Sequence, residues 1–309
     1  MLADARASVR YGNACPLQDV RGRDNAQRLT ARFKCPMESS GLGRASAPPP
    51  DVLALDFDGV LCDGMREYFE ASRRTCRRIW PGEAVASDTQ RPVFARLRPV
   101  IMTGWEMPLL LRAITLGRRE EDIASNWGRV RDELVASERG LHGPALVETL
   151  TRALDEVRRD WIAADPDGWV QSNVPYCSLS ELRAVLAASG QAVLVTTKEG
   201  EFARRILEDW DIRLTRIDGK ESGTHKCENL RALVAVGTSQ RGRRPRLWFV
   251  EDRLETLRHV TTHPDLADVE LFLAAWGYTT PETRAIAGRD ARIRLLALDR
   301  FRQGPSAWL

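Results

Sequence analysis

One short segment constrains this chain more than any other: the apolar run Val52-Leu53-Ala54-Leu55, closed by Asp56-Phe57-Asp58-Gly59. Four consecutive apolar residues ended by a glycine-containing polar turn suit a strand buried on both faces of a parallel sheet. The next strand does not follow directly. Apolar residues instead recur at three- and four-residue spacing over 64–80, 91–116, 120–137 and 145–164, with breaks at Pro81-Gly82, Gly117 and Gly143-Pro144. That period predicts helices, and no convincing strand lies between 63 and 176.

Strand–helix alternation resumes at 177. Ser178 and Glu181 form a capping box for a helix that stops at Gly190. Strands are expected at 192–195, 212–217, 247–250, 269–273 and 293–296, and helices at 200–210, 226–236 and 253–262. This alternation defines an α/β core with a parallel sheet. The expected division is therefore a core of 51–62 and 177–309, interrupted by a helical insert of 63–176.

Residues 1–50 are different in texture. They hold eight basic and four acidic residues, few aromatics and a terminal Pro48-Pro49-Pro50, which reads as a disordered leader with a stiff joint. The net charge of +3 resides in this leader, because 51–309 carries 38 basic and 39 acidic residues. A nucleic-acid partner is therefore not expected. Six cysteines without a CxxC pair, no Asn-x-Ser/Thr acceptor and no apolar stretch of membrane-spanning length point to a reduced, cytoplasmic setting without a membrane partner. A plastid stroma is the alternative if 1–50 is a transit peptide, although Asp4, Asp19, Asp24 and Glu38 argue against one.

Active sites of open α/β sheets lie beyond the carboxyl ends of the strands. There the sequence places Asp56 and Asp58, then Thr196 and Thr197, then Glu251 and Asp252, with Lys226 opening the helix after the third strand. Only four of the 46 basic residues are lysine, and three of them, Lys198, Lys220 and Lys226, fall in or beside these segments.

This ordered set resembles the haloacid dehalogenase-like (HAD) superfamily, over essentially 51–309. Leu55-Asp56-Phe57-Asp58-Gly59 is similar to its first motif, Val195-Thr196 to its second, Lys226 to its third and Glu251-Asp252 to its acidic fourth. Thr103-Gly104-Trp105-Glu106-Met107-Pro108, Thr196-Thr197-Lys198-Glu199 and Phe249-Val250-Glu251-Asp252-Arg253-Leu254 resemble an uncharacterised branch from oxygenic photosynthetic lineages. The insert after the first motif resembles the helical C1 cap. The resemblance implies a Rossmannoid core with an inserted all-helical cap, and a Mg²⁺-dependent phosphatase acting on a small phosphorylated metabolite.

By that resemblance Asp56 attacks phosphorus and forms an aspartyl-phosphate, while Asp58 protonates the leaving oxygen and then activates water. Thr196, Thr197 and backbone amides near Gly59 hold phosphoryl oxygens, and Lys226 screens the charge. Mg²⁺ is held by Asp56, the Asp58 carbonyl and Asp252, with Glu251 as a further candidate. Lys220, six residues upstream, is the rival third-motif lysine, and Glu251 and Glu255 are each either an outer group or a solvated charge. Dehalogenases lack the second aspartate, so Asp58 favours phosphoryl chemistry. A phosphomutase, or a weakly catalytic binding module, is the alternative, and the oligomeric state is open.

Other signals are weaker. His259 and His263 have a zinc-compatible spacing, but Val260 stands where a metalloprotease needs glutamate, and Pro264 ends the helix. Gly219-Lys220-Glu221-Ser222 lacks the first glycine of a P-loop, and Arg241–Arg246 reads as a solvated loop. Trp105 and Glu106 read as helix packing.

Overall fold

The computed structural model describes residues 48–137, 143–223 and 225–309. The expected leader lies outside the described residues except for Pro48–Pro50.

Six parallel strands form the main sheet: β1 (Val52–Leu55), β4 (Ala192–Val195), β5 (Ile217–Asp218), β6 (Leu247–Glu251), β7 (Glu270–Ala274) and β8 (Ile293–Leu296). Their spatial order is β5-β4-β1-β6-β7-β8. Side chains alternate across a strand. Thus Leu53 and Leu55 of β1 enter one core with Trp169, Phe202 and Phe301, while Val52 and Ala54 enter another with Leu230 and Leu257. Burial on both faces explains why β1 is apolar throughout.

Between β1 and β4 the chain is mostly helical. It contains α1 (Met65–Ile79), α2 (Arg91–Leu97), α3 (Glu106–Thr115), α4 (Glu120–Ser137), α5 (Pro144–Ala164) and α6 (Pro166–Gln171). Tyr68, Phe69, Phe94, Leu110, Ile123 and Leu150 share a separate apolar core there. Two very short antiparallel strands, β2 (Cys62–Asp63) and β3 (Val174–Pro175), join this region to the sheet. The sequence reading expected no strand there. Two residues are too few to show a period, so this ribbon left no pattern to read.

The core helices are α7 (Leu179–Ala187), α8 (Gly200–Asp209), α9 (Lys226–Arg241), α10 (Leu254–Thr261), α11 (Pro281–Ala287) and α12 (Leu298–Arg302). The Ser178–Glu181 capping box starts α7. The helix ends at Ala187, before the expected stop at Gly190. Two other expectations need correction. Only Ile217–Asp218 of the expected strand 212–217 pairs with β4, because β5 is a sheet edge; Ile212 is anchored in the core from a loop. The expected helix 91–116 is broken into α2, a single 3-10 turn (Arg98–Val100) and α3. Pro99 and Gly104 fall in that break, and the loop they shape faces the candidate site.

Candidate active site

Strand β1 lies between β4 and β6, so the sheet's order reverses there and leaves a crevice at their carboxyl ends. Asp56 follows β1, and its amide continues the ladder to the Val250 carbonyl at 3.0 Å. Lys226, the first residue of α9, approaches Asp56 Oδ1 at 2.9 Å and donates to Glu251 Oε2 at 2.6 Å. The contact with Asp56 is an ion pair outside hydrogen-bonding geometry, so that buried Oδ1 has no hydrogen-bond partner. Burial pulls the Lys226 ammonium down, but Asp56 and Glu251 outweigh it and hold it above the ordinary lysine value. Lys220 is elsewhere: its Nζ meets Asp155 of α5 at 2.6 Å. Of the two candidate lysines, only Lys226 touches the acidic cluster.

Asp56, Glu251 and Asp252 bring carboxylate oxygens within 4.8 Å of one another, and all three residues are buried. Burial, with Asp56 beside it, pushes the Asp252 carboxyl up to about 6, against the Arg98 and Arg253 charges and the Tyr278 amide. The Glu251 carboxyl is raised well above the ordinary value, first by burial and then by Asp56. One ammonium therefore meets two of three clustered hard oxygen donors. That donor set, with an Asp56 oxygen that accepts no hydrogen bond, fits a small divalent cation such as Mg²⁺. Glu251 contributes differently from Asp252, because its oxygens accept from Lys226 and from the Arg253 amide at 3.2 Å. Glu255 is exposed and lies 3.6 Å from Arg253.

Asp252 is packed between two glycines. A Cβ on Gly59 would lie 2.0 Å from Asp252 Oδ2, and one on Gly277 would lie 2.4 Å from Asp252 Cβ. Gly59 also has φ +85°, where an L side chain is strained. Gly59→Ala is therefore expected to displace Asp252 and destabilise the protein by about 1–3 kcal/mol. Thermal unfolding measures this; a change below about 0.5 kcal/mol would contradict the close packing.

Asp58 points to a different cation. Lys198 Nζ, buried after β4, lies 3.2 Å from Asp58 Oδ1. Thr196 is buried too, and its hydroxyl accepts the Lys198 amide at 3.1 Å, whereas Thr197 lines the cavity. The lysine count drew attention to Lys198, but no sequence signal assigned it to Asp58, 140 residues earlier.

The cavity is lined by Asp56, Asp58, Thr197, Lys198, Lys226 and Asp252 from the sheet side. Tyr68, Arg98, Met102, Thr103, Met107 and Arg158 face them from the helical side. Arg158 holds Glu67 in a buried bidentate pair at 2.7 and 3.1 Å, joining α5 to α1. Tyr278 ties the parts together. Its amide donates to Asp252 Oδ2 at 2.8 Å, and its hydroxyl accepts from the Gly64 amide at 3.0 Å. Sequence inspection singled out neither Tyr68 nor Tyr278.

Glu106 is buried and accepts from Trp127 Nε1 at 2.7 Å and from the Met102 amide at 3.2 Å, so it shapes the loop. Cys227 joins His259 and His263, with potential ligand atoms within 4.8 Å. His263 Nδ1, however, faces the Arg231 guanidinium at 2.9 Å. Accepting there keeps the ring proton on Nε2, the atom a metal would need.

No family model and no curated relative matches the chain. Solved structures do. A predicted phosphatase from Clostridium acetobutylicum is 15% identical with a TM-score of 0.51, over 82% of this chain and 97% of that one. Protein Tyrosine Kinase A of Mycobacterium tuberculosis is 19% identical with a TM-score of 0.51, over 83% of this chain and 98% of that one. The fold shared with these structures is α/β with a parallel six-stranded sheet, the architecture that the sequence resemblance implies. One such fold carries a phosphatase name and a kinase name, so function has to be argued from the site.

Proposed function

We propose that this protein is a Mg²⁺-dependent phosphohydrolase acting on a small phosphorylated metabolite. The observation that carries the reading is the pairing of two carboxylates with two different lysines in one cavity: Asp56 with Lys226, and Asp58 with Lys198. The name of the Clostridium neighbour agrees with it.

Asp56 attacks phosphorus with a carboxylate oxygen, and the ester bond breaks as the aspartyl-phosphate forms. Asp58 gives its proton to the departing alkoxide and then takes one from the water that cleaves the acyl phosphate. Lys226 offsets the negative charge of Asp56 and the phosphoryl group, and Glu251 fixes its ammonium in place. Thr196, Thr197 and the amides beside Gly59 hold phosphoryl oxygens. Asp56, the Asp58 carbonyl and Asp252 would hold Mg²⁺, which would supply further charge neutralisation. The helical insert acts as a cap that excludes water and selects the leaving alcohol. Among the described residues no helix is long and apolar enough to cross a membrane.

Hydrolysis of para-nitrophenyl phosphate tests the reading. Chelation is expected to lower the rate by about 100-fold or more, with recovery on adding Mg²⁺. No hydrolysis with Mg²⁺ would sink the phosphatase assignment, and hydrolysis indifferent to chelator would sink the metal.

A further inference from the structure

Among the described residues lining the cavity, five carry a cationic side chain, and four of them are engaged. Lys226 meets Asp56 and Glu251, Lys198 meets Asp58, and Arg158 meets Glu67. Arg253 donates to the Ile101 carbonyl and contacts the Met102 sulfur, with Glu255 at 3.6 Å. Arg98 is different. No carboxylate forms an ion pair with it among the described residues, its buried Nε has no hydrogen-bond partner, and Nη1 reaches only the Ile101 carbonyl at 3.4 Å. Leaving that buried N–H unmet is costly, and the half-buried guanidinium lines the cavity, where a ligand can meet its other donors.

Its setting suits a planar anion. The guanidinium lies 4.4 Å from the centroid of the Tyr278 ring and 5.1 Å from that of Tyr68. The two rings hold the fork without using its donors, which leaves a preorganised site for two oxygens. Tyr68 also adjoins Asp58, whose charge, after burial, pushes the phenol up. Tyr68 is thus shared by Asp58 and Arg98, and the guanidinium also feels the Asp252 charge, so it stands beside the group that serves the leaving oxygen in the reading above. Met102, Thr103, Gly104 and Met107 line the same cavity from the helical side.

We propose that Arg98 binds a second anionic group on the substrate, a carboxylate or another phosphoryl group carried by the leaving alcohol. This rests on the phosphohydrolase reading above and narrows its substrate class to phosphorylated acids and bisphosphates rather than neutral alkyl phosphates.

Binding to Asp56→Asn protein, measured calorimetrically with Mg²⁺, tests the assignment without turnover. The probes are propyl phosphate, 3-phosphonooxypropanoate and propane-1,3-diol bisphosphate. At least one of the two doubly anionic probes is expected to bind about 30-fold or more tighter than propyl phosphate, and which one does so identifies the second group. Adding Arg98→Gln is expected to shrink that preference to within about 3-fold, and Arg98→Lys to leave part of it, because an ammonium cannot pair bidentately. Equal affinities, no binding of any probe, or a preference that survives Arg98→Gln would overturn the proposal. If Arg98 gripped only the scissile phosphoryl group, all three affinities would fall together and the ratio would stand, which also overturns it. Wild-type hydrolysis of para-nitrophenyl phosphate is read separately, so loss of the phosphatase reading is distinguishable from loss of this one.

Discussion

Asp56→Asn is expected to lower phosphatase turnover by about 10⁴-fold or more while the protein remains folded. The amide is nearly isosteric with the carboxylate but cannot act as the nucleophile. Removing an attacking group costs more than removing a binding contact, because the residual rate comes only from positioning and electrostatics. The same step predicts that brief reaction with substrate and acid quenching will trap a phosphoryl group on the peptide containing Asp56. Residual activity above about 1% in the Asn variant, or phosphoryl label on another residue, would remove Asp56 from that role. Asp58→Asn should behave differently. Its loss is expected to be larger for propyl phosphate than for para-nitrophenyl phosphate, because nitrophenolate departs without a proton and an alkoxide does not. A loss equal for both esters would show that Asp58 is not the general acid.

The parts of this site that follow strands were legible because a parallel sheet forces its strand ends together. Asp56, Thr196 and Asp252 stand directly after β1, β4 and β6, and each strand is a short apolar run visible without coordinates. Lys226 could be preferred to Lys220 because it opens a helix, and the structure places it against Asp56. The helical half of the cavity was not legible. Arg98 and Met102 lie where 91–116 reads as a continuous amphipathic helix, and the break becomes functional only when the loop meets Arg253. Tyr278 sits 214 residues from Gly64, whose amide it accepts, and nothing local marks that partnership. Glu251 is intermediate. Sequence offered it as a possible metal ligand, an outer group or a solvated charge, and its full burial against Lys226 and the Arg253 amide excludes the solvated charge.

The buried charge balance gives the largest expected effect on stability. Lys226→Met keeps much of the side-chain volume but leaves Asp56 and Glu251 without their shared ammonium, beside the buried Asp252. The side chains of Lys226, Asp56 and Glu251 are each 10% exposed or less, so water screens little of the loss. Breaking such a buried pair from one side is expected to cost about 3–5 kcal/mol, a fall in Tm of roughly 6–15 °C for a protein of this size. Lys220→Met should cost below about 1 kcal/mol, because its side chain is 41% exposed and its pair with Asp155 is partly solvated. Adding Glu251→Gln to Lys226→Met removes one of the stranded carboxylates, so the double variant should be more stable than Lys226→Met alone and still lack turnover. That opposition separates stability from catalysis: Glu251 then matters only through the ammonium it holds. Equal melting of Lys226→Met and wild type would show that the cluster is neutralised in the folded state by something other than Lys226. A double variant no more stable than the single one would show that Glu251 carries no buried charge for Lys226 to balance.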